Sequence, residues 1–243
     1  MQASSTLIIP AIDLIGGRCV RLTKGDYTQQ TTYSDSPADV ARRFEDLGFK
    51  RLHVVDLDGA KSRHIVNKKC LNDISRLTSL EIDFGGGLKT DDDIQTAFDN
   101  GASMVTVGSV AISAPDLFAK WIGTFGADKI ILGADTRNGK VSINGWKEDS
   151  ATDIFDMLDT YVSMGISKVL CTDISKDGTM QGPAISLYEE IMRRHPSLHL
   201  IASGGVSGND DIMNLDRSGI PAVVFGKAFY EGRIDIDKLR ENV

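Results

Sequence analysis

A chain that repeats itself at half its own length has few folds open to it. The stretch FGGGLKTDDDIQTAFDNGASMVTVGSVA begins at Phe84, and ASGGVSGNDDIMNLDRSGIPAVVFGKAF begins at Ala202. With Gly86 set on Gly204, Asp93 falls on Asp211, Ile94 on Ile212, Gly101 on Gly219, Val105 on Val223 and Gly108 on Gly226. The offset is a constant 118 in a chain of 243 residues. Weaker matches extend the repeat. PAID ending at Asp13 pairs with LGAD ending at Asp135 at an offset of 122, and HVVDLDGA resembles VLCTDISKDG. Any fold of repeated strand–helix units predicts some self-similarity. It predicts neither glycines at matched strand ends nor an aspartate closing two strands half a chain apart.

The segments between these landmarks alternate. Short β-branched runs (TLIIPAID, RLHVVDL, LEIDFG, SMVTVG, KIILGAD, KVLCTDI, HLIASGG, AVVFG) are each followed by an amphipathic stretch. Helices are expected to begin near Ser36, Val66, Asp91, Ala114, Ser150, Ala184, Asn209 and Ala228. Several strands are apolar throughout, as strands buried on both faces are. Eight strands and eight helices in 243 residues predict an α/β fold, a single (β/α)8 TIM barrel domain over 1–243. It divides into half-barrels at about 7–125 and 126–232, with a short tail at 1–6. A doubly wound open sheet is the runner-up; no G-x-G-x-x-G opens a helix after the first strand.

The net charge of −7 argues against a nucleic-acid partner, which needs a basic face. No apolar run approaches the about 18 residues of a membrane span, and the N-terminus lacks the basic and apolar regions of a secretory signal. Cys19, Cys70 and Cys171 are scattered and odd in number, which suits reduced thiols, so a cytoplasmic location is expected. The four histidines form no metal-spaced cluster with them. One chain closes the barrel, so a monomer is expected.

In a parallel barrel the site lies at the C-terminal ends of the strands. Gly86, Gly87, Gly108, Ser109, Gly204, Gly205 and Gly226 all fall there. Glycine lets backbone N–H groups come close to a phosphate. A matched set in each half predicts two phosphate sites on opposite sides of the mouth, hence a bisphosphorylated small-molecule substrate. Gly178 and Thr179, in SKDGTMQG, extend the second site or make a plain D-G turn; Lys227 adds a charge or is a solvated lysine.

Asp13 ends the first strand and Asp135 the fifth, which face each other across an eight-stranded barrel. Two carboxylates across one pocket suit a general acid and a general base; the alternative is that each caps a nearby loop. Thr172, ending the sixth strand, is placed to bond a substrate hydroxyl or is an ordinary β-branched strand residue. His53 reads as a core histidine. Trp146, on a long connection, either stacks on a flat ring or anchors its loop. That connection and GGRCVRLTKGDYTQQTTYSDS are both long enough to act as lids.

IPAIDLIGGRCVRLTKGDY, LHVVDLDGAK, GGGLKTDDDI, VGSVA, NGW, LCTDISKDGTMQGP, SGGVS and GKAFYEG together resemble the ProFAR isomerases of histidine biosynthesis, from about Leu7 to Gly232. The resemblance implies isomerisation of the aminoaldose N′-((5′-phosphoribosyl)formimino)-5-aminoimidazole-4-carboxamide ribonucleotide (ProFAR) to its aminoketose by an Amadori rearrangement. It implies Asp13 as base, Asp135 as acid, Thr172 beside them, and Trp146, His53 and Asp177 as substrate-binding residues, with no metal or redox cofactor. Many such relatives carry arginine where this chain has Lys89 and Lys227; lysine keeps the charge and loses the bidentate fork. Three other readings share the landmarks. The cyclase of the same pathway has PCLD where this chain has PAID. A bifunctional isomerase also acts on phosphoribosylanthranilate. A non-catalytic phosphosugar-binding barrel has no need of both aspartates.

Overall fold

The structure is a computed structural model that describes residues 5–23, 25–143, 146 and 148–242. Among the described residues eight parallel strands close on themselves. In order around the ring they are β1 (Leu7–Ile15), β4 (Arg51–Asp56), β5 (Glu81–Gly85), β6 (Met104–Val107), β7 (Ile130–Arg137), β10 (Lys168–Asp173), β11 (His199–Ser203) and β12 (Ala222–Phe225). The β7–β10 and β12–β1 pairings complete the circle. The molecule is therefore the (β/α)8 barrel that the alternation predicts.

Side chains alternate across each strand, so the barrel holds two apolar compartments. Ile9, Ala11, Met104, Ile131, Leu170, Ile201, Ala222 and Val224 fill the interior. Their neighbours, such as Ile8, Ile12, Leu52, Val54 and Ile82, face outward to the helices. The helical layer comprises α1 (Pro37–Asp46), α3 (Lys68–Leu77), α4 (Asp91–Asp99), α6 (Pro115–Phe125), α7 (Ile154–Ser163), α8 (Ile185–Arg194) and α9 (Asn209–Arg217). Fully buried Trp121 packs there and gives its Nε1–H to Asp91 at 2.7 Å, as a buried indole requires.

The repeat is structural as well as textual. β5 and β11, α4 and α9, and β6 and β12 each begin and end 118 residues apart. The helix termini repeat too: Ala102 N–H bonds Ala97 O as Ile220 N–H bonds Leu215 O. Thr90 and Asp93 form a reciprocal capping box on α4, a device worth about 1 kcal/mol. Asp93 also accepts from Ile65 N and Lys89 N at 3.1 and 3.0 Å. Its counterpart Asp211 accepts from Ser207 N, the equivalent of Lys89 N, at 2.7 Å. Burial opposes the charge on Asp93, and the N–H groups of Ile65, Lys89 and Thr90 outweigh it, so the carboxyl sits below its ordinary value.

Several connections differ from expectation. The stretch after β1 is a hairpin, β2 (Arg18–Thr23) and β3 (Asp26–Ser34), and that after β7 is another, β8 (Lys140–Ile143) and β9 (Glu148–Asp153). Neither is a plain loop, and the helix expected near Ser150 starts only at Ile154. Short helices α2 (Leu57–Ser62), α5 (Ser109–Ser113) and α10 (Lys227–Tyr230) lie over the barrel mouth. The first two are additions to the expected set.

Candidate active site

Asp13 lies on β1 opposite Val55 of β4, and Asp135 on β7 opposite Thr172 of β10. Each half thus presents its aspartate beside the next parallel strand in the same way. Both carboxylates line one cavity of about 430 Å³ at the barrel mouth, a size suited to a small molecule. His53, Thr172, Asp177 and Trp146 line it as well. The sequence-predicted chemical centre is brought together in one space.

The two aspartates sit in different surroundings. Asp13 Oδ2 accepts from Arg21 Nη1 at 2.7 Å, with both side chains largely buried. Arg21 stands on β2, so the hairpin delivers the cation to the strand it folds back on. Burial works against the Arg21 charge, but Asp13 and then Asp177 hold the guanidinium firmly protonated. Asp135 has no cation at bonding distance among the described residues. Burial pushes its carboxyl up; hydrogen bonds from Trp146 and Thr172 pull the other way without cancelling it. The Trp146 bond, Nε1 to Asp135 Oδ2, is 2.8 Å. Trp146 therefore reaches the Asp135 carboxyl, and its ring lies where a side chain at Gly25 would have to be. Asp177 is pushed up to about 6, first by burial and then by Asp13 and Asp135, with Arg21 opposing. The strand-end aspartates thus differ, Asp13 ion-paired with Arg21 and Asp135 buried without a cation at bonding distance among the described residues, an asymmetry that suits a pair of carboxyl groups with unlike roles.

Phosphate candidates fall at two ends. Gly86, Gly87, Gly108 and Ser109 line the large cavity, together with Arg63 and Lys89. Burial, then Arg63, presses the Lys89 ammonium below its ordinary value. Gly178, Gly204, Gly205, Gly226 and Lys227 line a second, smaller hollow of about 30 Å³. Arg21 and Asp177 border both spaces, so one region joins the two ends. Lys227 Nζ donates to Gly178 O at 3.1 Å. Thr179 lines neither space; its hydroxyl is turned into its own loop and donates to Lys176 O at 2.6 Å.

The glycines also have a packing role. A Cβ on Gly86 would stand 2.2 Å from Asp56 O, and one on Gly205 2.2 Å from Gly182 O. Both also have positive φ, 100° and 85°. The strand ends are pressed against neighbouring backbone at a distance that only glycine allows.

Sequence reasoning missed Arg21 and Arg63, both of which line the cavity. Arg21 was readable as a charge in the run CVRL, but its partner depends on a hairpin that no apolar alternation announces. Among the described residues, no group of three or more His, Cys, Asp or Glu is arranged to hold a metal ion.

A family model described as histidine biosynthesis protein matches residues 7–235. Among curated proteins, the 1-(5-phosphoribosyl)-5-((5-phosphoribosylamino)methylideneamino) imidazole-4-carboxamide isomerase of Phocaeicola vulgatus is 56% identical over 232 residues, 96% of this chain and 97% of that protein. Isomerases of the same name from Bacteroides thetaiotaomicron and Cytophaga hutchinsonii are 54% and 48% identical, each over 96% of this chain and 98% of theirs.

Proposed function

The chain belongs to the histidine biosynthesis protein family, and we propose that its cavity performs the aldose-to-ketose isomerisation for which its relatives are named. The protein is an isomerase, and its substrate is the doubly phosphorylated aminoaldose ProFAR. The observation that carries the residue assignment is the pair of strand-end carboxylates, Asp13 and Asp135, lining one cavity in unlike surroundings.

Asp135, whose carboxyl burial pushes up, gives its proton to the ribose ring oxygen. The C1′–O bond breaks and the opened sugar becomes a protonated Schiff base. Thr172, paired with Asp135 across the strands, steadies that carboxyl. Asp13 takes the proton from C2′, and the electron pair neutralises the Schiff base to give an enolamine. Tautomerisation, with proton return to C1′, yields the aminoketose. Proton transfer by a positioned side chain contributes about 10²–10⁴-fold to the rate. Arg21 orients the base through their ion pair.

The half-barrels 7–125 and 126–232 each supply one aspartate and one phosphate end. Gly86, Gly87, Gly108 and Ser109 receive one phosphate, supported by Arg63 and Lys89. Gly178, Gly204, Gly205 and Gly226 receive the other, supported by Lys227. These cations give a locally positive site in a chain whose net charge is −7. Trp146, His53 and Asp177 contact the substrate between the two ends.

The test is a coupled assay. Purified protein is incubated with the aminoaldose, the pathway cyclase and ammonia are added, and absorbance is followed, with phosphoribosylanthranilate offered in parallel. Turnover of the aminoaldose is the expected result. Folded protein that leaves it unchanged would overturn the proposal.

A further inference from the structure

The barrel interior holds a buried charged group that the chemistry above leaves unused. Asp83 stands on β5 with its side chain wholly buried, a costly place for a carboxylate unless partners repay it. Its Cα partner across the sheet is His53 of β4. His53 Nδ1 bonds Asp83 Oδ1, and Thr106 Oγ1 of β6 donates to the same oxygen at 3.1 Å. Arg51 Nη2 lies 3.8 Å from the other carboxylate oxygen. Three neighbouring strands thus converge on one side chain, and the imidazole it grips lines the candidate active site.

A carboxylate accepts only, so the Nδ1 of His53 carries its hydrogen toward Asp83. The far nitrogen, Nε2, is left for the cavity. We propose that Asp83 is a positioning residue for the isomerisation: it fixes the His53 ring and keeps it a donor at both nitrogens, with Nδ1–H held by Asp83 and Nε2–H offered to the anionic substrate. The proposal rests on the isomerase reading and adds a support that the strand-end aspartates do not supply. It follows the general logic by which the partner of one ring nitrogen decides what the other presents.

The charges around His53 agree with this. Burial alone would push the imidazole pKa down. Asp83 on β5, by charge and by hydrogen bond, and then Asp13 on β1 raise it, Arg21 on β2 opposes, and the net direction is upward. Asp135 on β7 also lies within electrostatic reach.

The test titrates the imidazole resonances of the full chain by NMR, without substrate. Only four histidines are present, and a His53→Asn variant assigns the signal. In the wild type, His53 should titrate above the ordinary histidine value. In Asp83→Asn it should fall by about one unit or more, a tenfold change in proton affinity. The activity readout is the pH profile of kcat/KM: the loss caused by Asp83→Asn should be about tenfold larger at pH 8 than at pH 6. A lesion that merely loosened the barrel would depress the rate evenly with pH, and that result, or an unshifted His53, overturns the inference. Should Asp83→Asn fail to fold, the wild type decides, because a His53 ring that is neutral at pH 7 is also fatal to it. The titration is read without substrate, so an unshifted His53 counts against this inference alone. A folded wild type that isomerises nothing overturns the isomerase reading, and with it any part for Asp83 in turnover.

Discussion

Asp177 illustrates how a site group costs stability. Its carboxyl is raised to about 6, so the folded protein binds that proton more tightly than the unfolded chain does. The group's favourable contribution is therefore present in acid and is lost as pH rises from the ordinary carboxylate range through about 6. At neutral pH the ionised group costs on the order of 3 kcal/mol. Asp177→Asn should accordingly raise Tm by roughly 6–12 °C at pH 7.5 and give little gain at pH 4, at the expense of turnover. Thermal melts at the two pH values check this; a loss of stability at both would show that hydrogen bonds to Asp177 outweigh its charge. Which site residues were legible follows the same physics. Asp13 and Asp135 announced themselves because a carboxylate rarely ends an apolar strand without purpose. Asp83 carried the same signal inside LEIDFG, but only the closed barrel says that it meets His53. Thr179 was misleading because a hydroxyl beside a glycine looks the same whether it faces a ligand or its own loop.

The repeated β5–α4–β6 and β11–α9–β12 units were readable almost residue for residue, since apolar strands, helix bounds and glycines recur at one offset. The hairpins were not. β3 is exposed along most of its length, so no inward-facing alternation marks it, and its Thr, Tyr and Gln content was the available signal. The helices α2 and α5 are too short to show a helical period. Equivalent positions in the two units are still not interchangeable. Gly101 and Gly219 both follow a helix with positive φ, 100° and 69°. A Cβ at Gly101 would meet Ser75 Oγ at 1.9 Å, whereas at Gly219 nothing lies within 4 Å. Gly219→Ala should cost about 1 kcal/mol, the ordinary penalty of a left-handed backbone. Gly101→Ala should cost clearly more, about 2–3 kcal/mol, because overpacking adds to it. Urea unfolding of the pair checks the difference, and equal costs would mean that Ser75 moves aside freely.

The two halves meet at a cavity that neither completes alone. Arg21 borders both the large space and the small one, so one cation, paired with Asp13, stands between the two proposed phosphate ends. The matched glycines predict two ends from the sequence; of the charged side chains bordering both spaces, Asp177 was named from the sequence, whereas Arg21 comes from a hairpin and was not. Arg63→Ala and Lys227→Ala, at opposite ends, should each lower kcat/KM by about 10- to 100-fold, mainly through KM. Their effects should add, as those of distant sites do. A variant with wild-type KM would remove that side chain from phosphate binding. The acid–base assignment itself is tested most directly by measuring the rate of aminoketose formation in Asp13→Asn and Asp135→Asn alongside substrate affinity. Both variants should bind the aminoaldose with affinity close to that of the wild type and turn it over at least about 10³-fold more slowly. Near-normal turnover in either would contradict the assignment and return that aspartate to a structural role.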